Sequence, residues 1–233
     1  MDRVRIQEKA RELQIEIWEN RNSLWPNGTP SPLDMLCPDI AAAVLGVEYV
    51  ESPTVSQNVF ISNGKKHHTA GLYDSQSNKI AISTEFQNKV MRFTGAHEIG
   101  HVVLHKNHDL RMHRDMPIDG SQKSNLPLPP IEKEANYFAS CFLMPEKLVI
   151  KYLRKLFKME LPFVINENVA FHLNPSDPDA LVHAEENSVE REMAIAKCTS
   201  FNGRSFQSLS DIFGVSVPAM AIRLKELQVI RWP

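Results

Sequence analysis

Between Arg92 and His105 the chain reads RFTGAHEIGHVVLH, and few patterns restrict a fold so tightly. Histidines recur every four residues at positions 97, 101 and 105, with Glu98 beside the first. On an α-helix His97 and His101 differ by about 40° in direction, so both imidazoles reach one ion. Imidazole is a neutral, borderline-soft donor that suits zinc. Glu98 points to the same side, where a carboxylate takes the proton of a water acidified by the ion. A chance H-E-x-x-H in a chain of this His and Glu content has an expectation of roughly 2–3%. Histidine-rich helices without metal also exist, so the pentapeptide requires a third donor in its support. Gly100 is roughly 1 kcal/mol worse than Ala in mid-helix, which implies that another element approaches closely at that turn.

A catalytic zinc takes three protein donors and leaves one position for water. The metzincin arrangement needs Gly at 104 and His at 107, and this chain has Leu104 and Asn107 there. His105 lies about 12 Å along a straight helix from His97, too far to share an ion easily, so it is expected to pack behind the donors. A second amphipathic segment, IEKEANYFASCFLMPEKLVIKYLRKL, reads as one long helix. Ala135, Asn136, Ala139, Phe142 and Leu143 fall within about 80° of Glu132 on its apolar face. A carboxylate on such a face costs several kcal/mol unless it is paired or ligating. The milder alternative is that Glu132 stays wet and favours the helix dipole. Asn136, one turn on, is placed to hydrogen-bond a ligating histidine. Glu134 points about 160° away, toward solvent, so its removal is expected to be almost silent, whereas Glu132→Ala is expected to release the metal.

RFTGAHEIGHVVLH followed by EKEANYFASCFLMP resembles the ImmA/IrrE family of zinc metallopeptidases, of the gluzincin type; KIAIS and DIAAAVLGVEYV extend the likeness. The resemblance implies an α+β zincin-like core with a small antiparallel sheet. It implies Zn2+ held by His97, His101 and Glu132, with Glu98 as general base. It also implies an endopeptidase whose protein substrate is a helix-turn-helix transcriptional repressor, cut to release mobile-element or stress-response genes.

Only three cysteines and no C-x-x-C pair argue against a disulfide framework. The N-terminus lacks the apolar stretch of a signal peptide, so a cytoplasmic, reducing compartment is expected. A net charge of −2 exerts no global pull toward nucleic acid or membrane. The chain divides into a metallopeptidase region 1–155, a connector 156–195 and a C-terminal module 196–233. Residues 174–193 carry six acidic side chains against one arginine and read as solvated. LSDIFGVSVPAMAIRLKELQVI has the pattern of a helix-turn-helix. Its basic residues, Arg223, Lys225 and Arg231, are sparse for DNA binding. NKIAISTE is a candidate edge strand for an extended peptide. Tyr73, His67, His68, His108 and His113 are candidate oxyanion donors. Residues 106–130 form a long polar, Pro-rich loop. Two other readings stay open: a repressor-binding protein with a structural zinc that does not cleave, and a DNA-binding regulator with a vestigial protease core.

Overall fold

The computed structural model describes residues 1–57, 59–62, 65–105, 112–115 and 128–231. They form two compact units, Met1–Leu143 and Met144–Pro233, in an α+β architecture.

The first unit opens with α1 (Arg3–Glu19), which Asp2 caps by accepting the Arg5 N–H at 3.1 Å. It buries Ile6, Ala10, Leu13 and Ile17, one residue per turn on a single face. The short α2 (Arg21–Leu24) and α3 (Pro38–Val44) lead to β1 (Glu48–Glu51) and a 3₁₀ turn over Pro53–Gln57. A separate hairpin, β2 (Val59–Ser62) with β3 (Lys65–His68), precedes β4 (Gly71–Asp74) and β5 (Lys79–Ile82). Asp74 closes the β4–β5 turn by accepting from the Gln76 N–H at 2.9 Å and the Ser77 hydroxyl at 2.6 Å. After α4 (Asn88–Leu104), β6 (Met112–Asp115) completes a sheet in the order β1-β5-β4-β6. β4 is antiparallel to both its neighbours, and β1 joins β5 in parallel. Strand β5 is therefore interior, so NKIAISTE offers no edge to a peptide. Its pattern of alternating apolar residues fits either position, and only the pairing distinguishes them.

The unit closes with α5 (Pro130–Leu143), which packs along α4 and α1. The expected single long helix is broken here: α5 stops at Leu143 and α6 begins only at Glu146. Pro145 lacks the N–H that would continue the ladder, and its ring opposes the carbonyl four residues back. Gln14 on α1 donates instead to the carbonyls of Cys141 and Phe142 at 3.2 and 3.0 Å.

The second unit contains α6 (Glu146–Phe157), β7 (Phe163–Val164), α7 (Glu167–Leu173), α8 (Pro178–Val182) and α9 (Glu190–Lys197). The hairpin β8 (Ser200–Phe201) and β9 (Arg204–Ser205) follows, then α10 (Leu209–Ile212), α11 (Val217–Glu226) and β10 (Ile230–Arg231), which pairs with β7. The turn between α10 and α11 runs through Gly214 and Val215 to Ser216, which caps α11. The acidic stretch 174–193 is not simply solvated: it spans α8 and the start of α9, and Arg191 and Glu192 are buried. Arg191 donates to the carbonyls of Leu181 and Val182, both at 2.7 Å, which ties α9 to the end of α8. Among the described residues, no helix is long and apolar enough to cross a membrane.

Candidate metal centre

Helix α4 is enclosed on every side from Thr94 to Val102, and His97, Glu98 and His101 have no exposed surface. Burying two imidazoles and a carboxylate costs several kcal/mol unless each is satisfied or ligating. One helical turn brings the two rings to a centroid separation of 4.6 Å at 71°, with their Nε2 atoms 2.8 Å apart. Glu132, in the first turn of α5, reaches them from across the helix pair. Its Oε2 lies 3.2 Å from His97 Nε2 and its Oε1 3.6 Å from His101 Nε2. These are the three residues that, among the described ones, offer donor atoms all within 4.8 Å of one another.

The hydrogen bonds behind the rings decide what faces the centre. Asn136 Oδ1 lies 2.8 Å from His97 Nδ1, and a carbonyl only accepts, so Nδ1 carries the proton and Nε2 a lone pair. Glu134 Oε2 lies 3.2 Å from His105 Nε2, which therefore donates. In the neutral ring His105 Nδ1 is then an acceptor, and at 3.0 Å it takes the Nδ1–H of His101. His101 Nε2 is left with a lone pair as well. With the rings in these tautomers, two lone pairs 2.8 Å apart and a carboxylate beside them repel one another, and a cation held by all three would relieve that repulsion. Donors at zinc bond lengths of about 2.0–2.1 Å stand about 3.3 Å apart in a tetrahedron, and the separations here, 2.8, 3.2 and 3.6 Å, bracket that value. The residues present fit a divalent ion.

Two backbone approaches hold this geometry. A Cβ on Gly100 would stand 3.1 Å from both the Cα and the carbonyl oxygen of Ala135, so glycine lets α5 close on α4 beside His101. That is the close neighbour implied by a mid-helix glycine. A Cβ on Gly71 would stand 2.8 Å from Glu98 Oε1 and collide with the side chain of Thr94. Strand β4 thus presents bare backbone to the Glu98 carboxylate. Sequence reasoning passed over Gly71, although a glycine inside an alternating strand signals such an approach.

Glu134 corrects the expectation of a side chain directed into solvent. Its side chain is 31% exposed and turns toward His105 rather than into water. His105, at the C-cap of α4, packs against His101 away from the donor cluster, with 7% exposure. Of the candidate oxyanion donors, Tyr73 is buried on β4, where burial raises its pKa, and His68 ends β3 exposed. His108 lies outside the described residues, as does most of loop 106–130, and of His67 and His113 only the backbone is described.

A family model described as the IrrE N-terminal-like domain, a peptidase family, matches residues 55–173, just over half of the 233 residues. The matched region contains His97, Glu98, His101 and Glu132. The radiation response metalloprotease IrrE of Deinococcus radiodurans is 32% identical over 85 residues, 36% of this chain and 25% of the relative. The chain thus matches about a quarter of that relative's length.

Proposed function

The chain belongs to the IrrE N-terminal-like family of metallopeptidases, and from that premise we propose that it is a zinc-dependent endopeptidase with His97, His101 and Glu132 as ligands. The observation that carries this reading is the convergence of two Nε2 lone pairs and the Glu132 carboxylate beside the buried carboxylate of Glu98. A zinc ion bound there supplies Lewis acidity and lowers the pKa of its water to about 7. Glu98, fully buried beside the three donors, is the residue that would take up a proton from the attacking water and return it to the departing amine nitrogen. Asn136 and His105 hold the two imidazoles with their Nε2 atoms inward. The substrate is a helix-turn-helix transcriptional repressor, as the family resemblance implies. Its cleavage relieves repression of stress-response or mobile-element genes.

The two other readings lack support of this kind. A purely structural zinc is closed by four protein donors, whereas three converge here among the described residues. Direct DNA binding needs free basic side chains on the last helix. Arg223 is instead buried, donating to the Met144 carbonyl at 3.0 Å and pairing with Glu226 at 3.3 Å. Lys225 donates to the carbonyls of Glu186 and Ser188, both at 2.7 Å.

Metal content and cleavage, measured side by side, test the proposal. About one zinc per chain is expected in wild type and in Glu98→Gln, with Glu132→Ala losing most of it. Cleavage of a profiled peptide library, and of purified helix-turn-helix repressors, should vanish in Glu98→Gln. Wild-type cutting by Glu98→Gln would sink the mechanism, and a wild type that takes up no zinc would sink the ligand assignment.

A further inference from the structure

We propose that Glu134 and His105 are positioning residues, which fix the tautomer and ring direction of His101 through two successive hydrogen bonds; the proposal rests on the ligand assignment above. A histidine binds metal through Nε2 only if the proton sits on Nδ1 and something accepts that proton. For His97 a carbonyl oxygen, Asn136 Oδ1, does this unambiguously. For His101 the acceptor is another imidazole, and imidazole can present either a lone pair or an N–H at a given nitrogen. If His105 carried its proton on Nδ1, that N–H would point at His101 Nδ1 at 3.0 Å. His101 would then have to keep its own proton on Nε2, where it blocks the ion.

Glu134 removes this ambiguity. A carboxylate 3.2 Å from His105 Nε2 accepts only, so the proton stays on Nε2 and His105 Nδ1 is held as an acceptor. The choice passes from Glu134 on α5 through His105 to His101 on α4, and it ends as a lone pair aimed at Glu132 and His97. Burial strengthens the effect, because His105 is 7% exposed and water cannot readily replace the carboxylate. Helix α5 therefore contributes to the centre twice: Glu132 directly, and Glu134, two residues on, from behind.

The test is zinc affinity of the full chain, measured by competition with a chelating indicator, for wild type, Glu134→Ala, Glu134→Gln and the exposed neighbour Lys133→Ala. A glutamine carbonyl can still accept from His105, so Glu134→Gln should stay near wild type while Glu134→Ala weakens binding about 10–100-fold. Lys133→Ala should not change. In the zinc-loaded protein the His101 Nδ1–H proton should give a slowly exchanging, downfield NMR signal in wild type and Glu134→Gln, and lose it in Glu134→Ala. Unchanged affinity and proton signal in Glu134→Ala would overturn the proposal. Equal weakening in Glu134→Ala and Glu134→Gln would overturn it too, by assigning the effect to charge. A wild type without zinc affinity would instead overturn the ligand assignment on which it rests.

Discussion

Glu98 needs room as much as chemistry. Its carboxylate is fully buried, and one wall of its space is the bare backbone of Gly71 on β4. A methyl group 2.8 Å from Oε1 is closer than real Cβ atoms come, and Thr94 and Ile82 already occupy the other directions. In Gly71→Ala the carboxylate must turn away or β4 must retreat, an overpacking that costs typically 1–3 kcal/mol. Zinc content should stay at the wild-type level, because the carboxylate that Gly71 faces is Glu98 and not one of the three donors, while kcat falls at least about tenfold, as about 1.4 kcal/mol of lost transition-state stabilisation would give. Full activity in Gly71→Ala, with Glu98 unmoved in its structure, would show that this wall has no part in the chemistry. The same scale explains why Glu134 escaped a reading of helical faces. On α5 it stands in line with Phe138 and Cys141, both buried, so its side chain meets His105 there instead of water, and only the neighbouring helix supplies that target.

The centre is a property of two helices and the distance between them. His97 and His101 belong to α4 and Glu132 to α5, and Gly100 sets their spacing against Ala135. Gly100→Val recovers some helix propensity, because glycine costs roughly 1 kcal/mol in mid-helix. It also pushes a branched side chain into the Ala135 backbone, which has no rotamer to yield. Separating the helices by even a few tenths of an ångström lengthens the reach of Glu132 to both imidazoles. Gly100→Val is expected to weaken zinc binding by at least tenfold in the chelator competition, while its far-UV circular dichroism remains that of wild type. Wild-type zinc affinity in this variant would show that the close approach serves packing alone. At this scale much was readable in advance. The turn-by-turn apolar face of α1, the α4 motif and the α10–α11 pattern are local and follow from helical periodicity. The break at Pro145 was legible too, from proline chemistry, yet the strong apolar pattern on both sides concealed it.

For the whole molecule, the two units should respond to different perturbations. On the proposed ligand assignment zinc would bind the folded first unit, so free zinc at about 100 times Kd should add about 2.7 kcal/mol to that unit's stability, or roughly 5–10 °C in Tm. Calorimetry with and without chelator should show this shift, and Glu132→Ala should abolish it. The second unit carries its own titration. Glu192 is buried and its pKa is raised, chiefly by desolvation, with Lys225 and Arg191 opposing. A carboxyl whose folded pKa lies above its unfolded value favours folding while protonated, and it loses that advantage as pH rises from the unfolded pKa through the folded one. Glu192→Gln should therefore raise Tm at pH 8 by about 2–4 °C, the shift that roughly 1 kcal/mol makes in a chain of this size. The difference should shrink to a small remainder by about pH 4, where glutamate is mostly protonated in both states. A Tm gain that persists undiminished at pH 4 would trace the effect to packing instead of ionisation.

What the chain determined by itself is everything that depends on neighbours along it: which residues carry donors, that His97 and His101 share one side of a helix, and that a carboxylate on the apolar face of α5 needs a partner. Spacing along a helix is set by covalent geometry, so these statements hold before anything packs. Tertiary structure alone decided that β5 lies inside the sheet, that Gly71 gives Glu98 its space, and that Glu134 holds His105 against His101. Each of these depends on which surface meets which across 27 to 31 residues of chain. That choice is made by the summed burial and pairing of whole elements, and no local pattern encodes it.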